Sequence, residues 1–325
     1  MAAAREAGKG RTKAKSLSKL ENMGPLLALA GIVVILSFVS DAFLSVRNIF
    51  NIISQSSVNF TMALGMTVVI ISGGIDLSVG SVMALTGSAM ALLGTSLGWP
   101  AGLAILAGVV IGMGVGAFNG FVISRTGIPD FIMTLGMLSA ARGIALIITG
   151  GLPVSGLPEG LTYFGAIRLG GVVPVAGLLA AAMAILVWYI LGHTKLGRYA
   201  YAIGGNKEAA RAAGINVGNY KVAFYALIGF TVAVASLIQV GRIYSANPVM
   251  GTGKELEVIA IVIIGGTNLF GGEGSIGGTV VGALIMGVIA NGLNLLNVSS
   301  FWQQFFIGSL IIVVVVVDQL RRRRS

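Results

Sequence analysis

Ten runs of apolar residues follow one another along the chain, with short polar gaps between them: roughly 24–40, 52–72, 79–97, 101–124, 131–148, 173–191, 222–241, 256–270, 277–295 and 301–317. A helix needs about 20 apolar residues to cross a bilayer. Soluble domains do not stack so many runs end to end, so the pattern predicts an all-α, polytopic transmembrane bundle of about ten spans. Two runs are weaker. The apolar part of the second, 62–71, is short and is preceded by Asn51, Gln55 and Asn59, and the eighth is also short. Both run into glycine-rich breaks that resemble each other: Gly73-Gly74-Ile75-Asp76-Leu77-Ser78 and Gly265-Gly266-Thr267-Asn268-Leu269-Phe270. The shared Gly-Gly-x-[Asp/Asn]-Leu pattern reads as an internal repeat. Paired short or interrupted spans point to a transport site, because irregular backbone at membrane depth must be buried in protein or line a cavity. The span count gives the two copies the same orientation, whereas an inverted repeat requires the opposite.

Composition supports a membrane chain. Only 10% of the 325 residues are charged, against about 25% in soluble domains. The 49 glycines, as in the run from Gly108 through Gly112 to Gly116, suit close packing of membrane helices. Cysteine is absent, which excludes disulfides and thiolate chemistry, and the single histidine, His193, falls at a span end. The net charge of +10 does not indicate nucleic acid, because the basic residues cluster beside the spans.

An even span count puts both ends on one side. That side receives sixteen basic residues, including six in the first twenty residues and Arg321 to Arg324, and the other receives four: Arg47, Arg168, Arg242 and Lys254. The positive-inside rule then places both termini in the cytoplasm. Arg142 falls inside a span. The expected organisation is a basic cytoplasmic arm, 1–22, a permease domain, 23–320, and a basic tail, 321–325. The first segment lacks the small-residue cleavage site of a signal peptide.

Asp76 is a carboxylate between closely spaced apolar segments. It reads as a functional group, because buried charge is costly in lipid, and as a helix cap, shared with Ser78 and matched by Asn268 in the second copy. Residues 193–221 form the longest polar cytoplasmic segment. Within it Asn206 suits an N-cap, Glu208 suits a first turn, and Gly214 suits a left-handed helix end. So short a helix needs a partner or its own loops to hold it. The opposite-side loop 150–171 reads equally as a partner contact or a plain connection. Met250-Gly251-Thr252-Gly253-Lys254-Glu255, expected to be external, is not a P-loop, because Glu255 stands where Ser or Thr is needed. Glu255 and Glu257 point to different helix faces, and no enzyme active site is apparent.

In order along the chain stand Gly73-Gly74-Ile75-Asp76-Leu77-Ser78-Val79-Gly80-Ser81, Thr194-Lys195-Leu196-Gly197-Arg198-Tyr199, Gly204-Gly205-Asn206-Lys207-Glu208-Ala209-Ala210-Arg211, Gly214-Ile215-Asn216-Val217, Ile264-Gly265-Gly266-Thr267 and Asn291-Gly292-Leu293-Asn294-Leu295-Leu296. Together they resemble the membrane-spanning permease of bacterial ABC importers for ribose and related monosaccharides. The resemblance runs from about Phe43 to the last span, and the basic arm has no counterpart in it. It implies a permease dimer (a homodimer) in the cytoplasmic membrane, an ATPase subunit on the cytoplasmic face that binds the ATP and Mg, and an outer sugar-binding protein. No cofactor is expected on this chain. The candidate coupling residues are Gly197, Arg198, Asn206, Glu208, Ala209, Arg211 and Gly214. The candidate residues of the translocation path or its helix breaks are Asn59, Gly73, Gly74, Asp76, Ser78, Gly265, Gly266, Asn268, Asn291 and Asn294. The alternatives are a permease for a nucleoside or signalling furanose, an ion-coupled secondary transporter, and a membrane scaffold or receptor. The ion-coupled reading calls for several intramembrane charges, and the chain offers chiefly Asp76 and Arg142.

Overall fold

The computed structural model describes residues 24–322. The expected arm, 1–22, lies outside the described residues, as do 323–325 of the expected tail. Among the described residues thirteen helices dominate: α1 (Gly24–Val39), α2 (Val46–Ile71), α3 (Val79–Thr95), α4 (Ala101–Thr126), α5 (Asp130–Thr149), α6 (Glu159–Ala166), α7 (Val175–His193), α8 (Lys195–Gly205), α9 (Lys207–Ala212), α10 (Val217–Ile243), α11 (Lys254–Ile264), α12 (Ile276–Leu295) and α13 (Ser300–Arg322). Two antiparallel pairs of two-residue strands tie loops together. One is β1 (Val154–Ser155) with β4 (Ser245–Ala246), and the other is β2 (Arg168–Leu169) with β3 (Val173–Pro174).

Each of the ten apolar runs lies on a helix. Among the described residues six helices are long and apolar enough to cross a membrane: α2, α4, α5, α7, α10 and α12. The chain is therefore an all-α integral membrane protein, and the expectation of about ten full spans exceeds what helix length and composition support. The clearest shortfall is α11. Its 11 residues rise about 16 Å, roughly half of a hydrocarbon core. The expected second span, by contrast, is not short. α2 has 26 residues and starts at Val46, so Asn51 joins Gln55 and Asn59 within the helix.

α2 and α10 are the most enclosed of the long helices, and α4 and α5 lie at the periphery. α4 meets α10 through small residues. A Cβ on Gly112 would strike the carbonyl oxygen of Gly229, and one on Gly229 would strike that of Gly112, so the two backbones are in direct contact.

α2 and α11 end in the same motif. Beyond α2, Gly73 has φ +76°, its N–H bonds Ile70 O, and Gly74 N–H bonds Val69 O. Beyond α11, Gly266 has φ +84°, its N–H bonds Ile263 O, and Thr267 N–H bonds Val262 O. Both are Schellman ends, which place a left-handed residue just past the helix. The structure thus pairs Gly73 with Gly266, one residue off the register of the sequence repeat. The two ends lie side by side: Gly272 N–H donates to Ile71 O at 2.8 Å. The copies therefore run in the same direction.

Residues 193–221 hold two helices where one was expected. α8 was hidden by Gly197, Gly204 and Gly205, poor helix formers in water. α9 follows the expected grammar. Asn206 Oδ1 accepts from Ala209 N–H at 2.9 Å, Gly214 has φ +81°, and Ile215 N–H closes a Schellman motif on Ala210 O. Glu208 and Arg211 pair at 3.1 Å with side chains 77% and 54% exposed, so this helix presents charge outward.

Candidate functional site

Arg47, Asn51, Gln55 and Asn59 recur every fourth residue along α2, so they share one helix face. That face lines three adjoining cavities of about 600, 200 and 320 Å³. The first two share Asn51 and Arg168, and the second and third share Gln55 and Arg242. The innermost is walled by polar side chains, among them Asn59, Gln239, Lys254, Glu257, Asn294 and Gln303. It reaches the midpoint of α2. There Asn59 Nδ2 donates to Glu257 Oε2 at 2.7 Å, and Lys254 Nζ pairs with the same oxygen at 2.6 Å. Asn59 Oδ1 and Ser56 Oγ are buried with no hydrogen-bond partner among the described residues.

The segment 244–253 explains how Lys254 and Glu257 reach this depth. After α10 the chain turns back into the bundle. Met250 lies against Gly87 of α3, and Gly251 O lies against Gly80. Gly87 also meets Val240 near the end of α10, so the loop runs back along α3 from that level to its first turn, about 10 Å. α11 then begins at mid-depth, with Glu255 and Glu257 favourably placed at the positive end of its dipole. Met250–Glu255 is therefore packed against α3 and is not a free surface loop. Its hydropathy contains no local sign of the return, because the turn is made by tertiary contacts.

Such exposed backbone in a membrane must be satisfied. Arg142, from α5, does this: one Nη1 donates to Pro248 O at 2.6 Å and to Met250 O at 2.8 Å. Arg142→Leu is therefore expected to lower the apparent Tm by several degrees, at about 1–3 kcal/mol for each orphaned carbonyl. Thermal unfolding of the detergent-purified chain measures this, and an unchanged Tm rejects the latch. Arg142→Lys, which retains a donor, should fall between the two.

The expected site residues separate into three places. Asn59 and Asn294 line the inner cavity. Asn291 does not: it exchanges two 2.9 Å hydrogen bonds with Asn48, joining α12 to α2. Gly73, Gly74, Asp76, Ser78, Gly265, Gly266 and Asn268 belong to the breaks, twelve or more residues along α2 from Asn59. Asp76 Oδ1 accepts from Ser78 N–H at 2.8 Å and from Ser78 Oγ at 2.6 Å, directly before α3. Asn268 makes the same kind of turn with Phe270 N–H, but α12 starts later and is capped by Ser275. Both copies thus make the same side-chain turn, and neither Asp76 nor Asn268 caps a helix: α3 starts at Val79 with no side-chain cap, and α12 is capped by Ser275.

The breaks also meet the 193–221 segment. Gly204, in the last turn of α8, sits with its Cα against Gly73 and Gly271, and Tyr201 donates to Gly274 O at 2.8 Å. On the other side Tyr225 donates to Ile75 O at 3.0 Å and to Asp130 Oδ2 at 2.8 Å, and Lys221 pairs with Asp130 at 2.6 Å. Gly197 and Arg198 lie in the first turn of α8, where Thr194 caps Gly197 N–H. Sequence reasoning missed Gln239, Arg242, Lys254, Glu257 and Gln303 as cavity residues. Only the four-residue spacing on α2 signalled the lining in advance.

A bundle of membrane-crossing helices, with a polar cavity at mid-depth and a half-length helix entering it, defines a membrane permease. The chain belongs to the family described as the permease component of branched-chain amino acid transport systems, which matches residues 48–315. It is 44% identical over 281 residues to the ribose import permease protein RbsC of Escherichia coli K12, covering 86% of this chain and 87% of the relative. It is 41% identical over 302 residues to RbsC of Bacillus subtilis 168, covering 92% and 93%. The xylose transport system permease protein XylH of Escherichia coli K12 is 34% identical, with 94% of each chain covered. No solved structure matches.

Proposed function

We propose that the chain is the membrane-spanning subunit of an ATP-driven importer in the bacterial cytoplasmic membrane, carrying ribose or a related monosaccharide. The observation that carries the reading is the 44% identity to a ribose import permease across 86% of the chain. The polar cavity supports it, because amide and other polar side chains such as Asn59, Gln239, Asn294 and Gln303 line it, as suits a neutral, hydroxyl-rich solute. In this reading the ten helical runs all lie in the membrane, α11 as a half-span, and both termini are cytoplasmic. A second permease copy completes the path. A sugar-binding protein delivers solute at the Arg47–Arg168 end, and an ATPase chain holds ATP and Mg at the α8–α9 end.

The mechanism is alternating access. α9 is exposed and charged, which suits a cleft in the ATPase. α8 touches both glycine breaks, so a displacement of α9 reaches the ends of α2 and α11 together. Each partner drives the cycle only through its differential affinity for the two states. Transport by the reconstituted complex tests this. The parent is expected to take up ribose only with ATP. Glu208→Ala with Arg211→Ala is expected to insert normally and retain ATP hydrolysis while losing uptake about tenfold or more. A double variant that transports like the parent removes the coupling assignment, and uptake that persists on an ion gradient without ATP removes the importer reading.

A further inference from the structure

The four basic residues that the charge pattern assigns to the side away from the termini are Arg47, Arg168, Arg242 and Lys254. They lie far apart in sequence, yet all four line the adjoining cavities. Among the described residues one carboxylate lines them, Glu257, and Lys254 already pairs with it. The other three have no carboxylate partner. Arg168 Nη2 donates to the neutral Asn51 Oδ1 at 2.6 Å, and no ion pair among the described residues involves Arg47, Arg168 or Arg242. The vestibule therefore carries uncompensated positive charge along its whole length. Low-dielectric walls focus such a field.

We infer that Arg47, Arg168 and Arg242 form a charge filter that admits neutral and anionic solutes to the inner cavity and repels cations. A cavity wide enough for a polyhydroxylated solute also holds water, and water would conduct Na⁺ and protons whenever the path opens. Fixed positive charge in a pore is an electrostatic barrier to those ions, and it costs a neutral sugar nothing. Arg242 is the central element, because it belongs to both inner cavities. The electrostatic part stands without the import reading. Its purpose, preventing cation leak during sugar passage, rests on that reading.

The chain has no cysteine, so Gln55→Cys supplies a single thiol where the two inner cavities join. The full chain in liposomes of neutral lipid is labelled with thiosulfonate reagents of similar size, one bearing a sulfonate and one a trimethylammonium. Rates are normalised to free cysteine. The anionic reagent is expected to be about tenfold faster, within the range that focused fields produce. Arg168→Gln with Arg242→Gln brings the ratio to about one, and the paired Lys substitutions preserve it. Should the Gln pair fail to insert, salt reads the same field in the arginine-containing protein. Raising ionic strength from 0.1 to 1 M shortens the screening length from about 10 to 3 Å and collapses the ratio. A ratio near one at low salt, or one indifferent to salt and to charge removal, overturns the filter. In the reconstituted importer the Gln pair should raise Na⁺ leak several-fold, measured at matched protein density. Loss of all uptake in the parent defeats the import reading and leaves the labelling result standing.

Discussion

Gly204→Val is expected to prevent the chain from accumulating as a folded membrane protein, while Gly205→Ala leaves it intact. A Cβ at Gly204 would meet Ile71 O and the backbone N of Gly272, whereas one at Gly205 meets nothing within 4 Å. The obstruction is backbone on both sides, and those two strangers are themselves hydrogen-bonded to each other at 2.8 Å. No side chain can rotate away. Overpacking typically costs about 1–3 kcal/mol and more where backbone must shift. A loss of about 3 kcal/mol lowers Tm by roughly 4–5 °C in a chain of 325 residues. Gly204→Ala should show this shift, and Gly204→Val should abolish recovery from the membrane fraction. Size-exclusion traces after heating measure both. A Gly204→Ala protein as stable as its Gly205→Ala control would mean that α8 and the two breaks are not in rigid contact.

Asp76→Ala is expected to be the next most damaging change, and Asp76→Asn a mild one. Asp76 is 3% exposed, and both bonds from Ser78 converge on one of its oxygens. Ser78 Oγ in turn accepts from Asn119 of α4 at 3.2 Å, so the carboxylate sits at the root of a short network joining the first break to α4. Alanine leaves Ser78 N–H orphaned at the start of α3. Hydrogen bonds to charged groups contribute about 1.5–3 kcal/mol, and a buried unsatisfied donor costs about 1–3 kcal/mol. Asparagine keeps an acceptor oxygen at the same place. Recovery and thermal unfolding of the two variants decide between hydrogen bonding and charge. Equal damage by both would show that the negative charge itself is needed, and no damage by alanine would remove Asp76 from the structural account.

The features that sequence displayed are those governed by neighbours in the chain. Asn206, Glu208 and Gly214 announce α9 because caps, dipole and left-handed ends act over three to five residues. The glycine breaks are visible because a Schellman end needs a residue that accepts positive φ. Their register was misread by one residue, since Gly73-Gly74 and Gly265-Gly266 each offer two candidates and only the hydrogen bonds select which one turns. Asp76 and Asn268 look equivalent and make the same local turn, and neither caps a helix, although Asp76 lies directly before α3 and Asn268 lies well before α12.

The cavity was mostly hidden. Asn59 and Glu257 are 198 residues apart, and nothing near Glu257 marks it as facing α2. Arg142 read as an isolated charge in a span, and its two carbonyl partners are over 100 residues away. The sequence by itself determined residence in the membrane, the all-α class, the helix caps and breaks, and the resemblance to sugar permeases, because hydropathy, capping and backbone conformation are local properties. Only the tertiary structure decided that α11 starts at mid-depth, that α8 is wedged between both breaks, and that four scattered cations line one path. Those arrangements depend on which helix faces meet, and close backbone packing at glycine and long-range hydrogen bonds select among pairings that local rules leave equal.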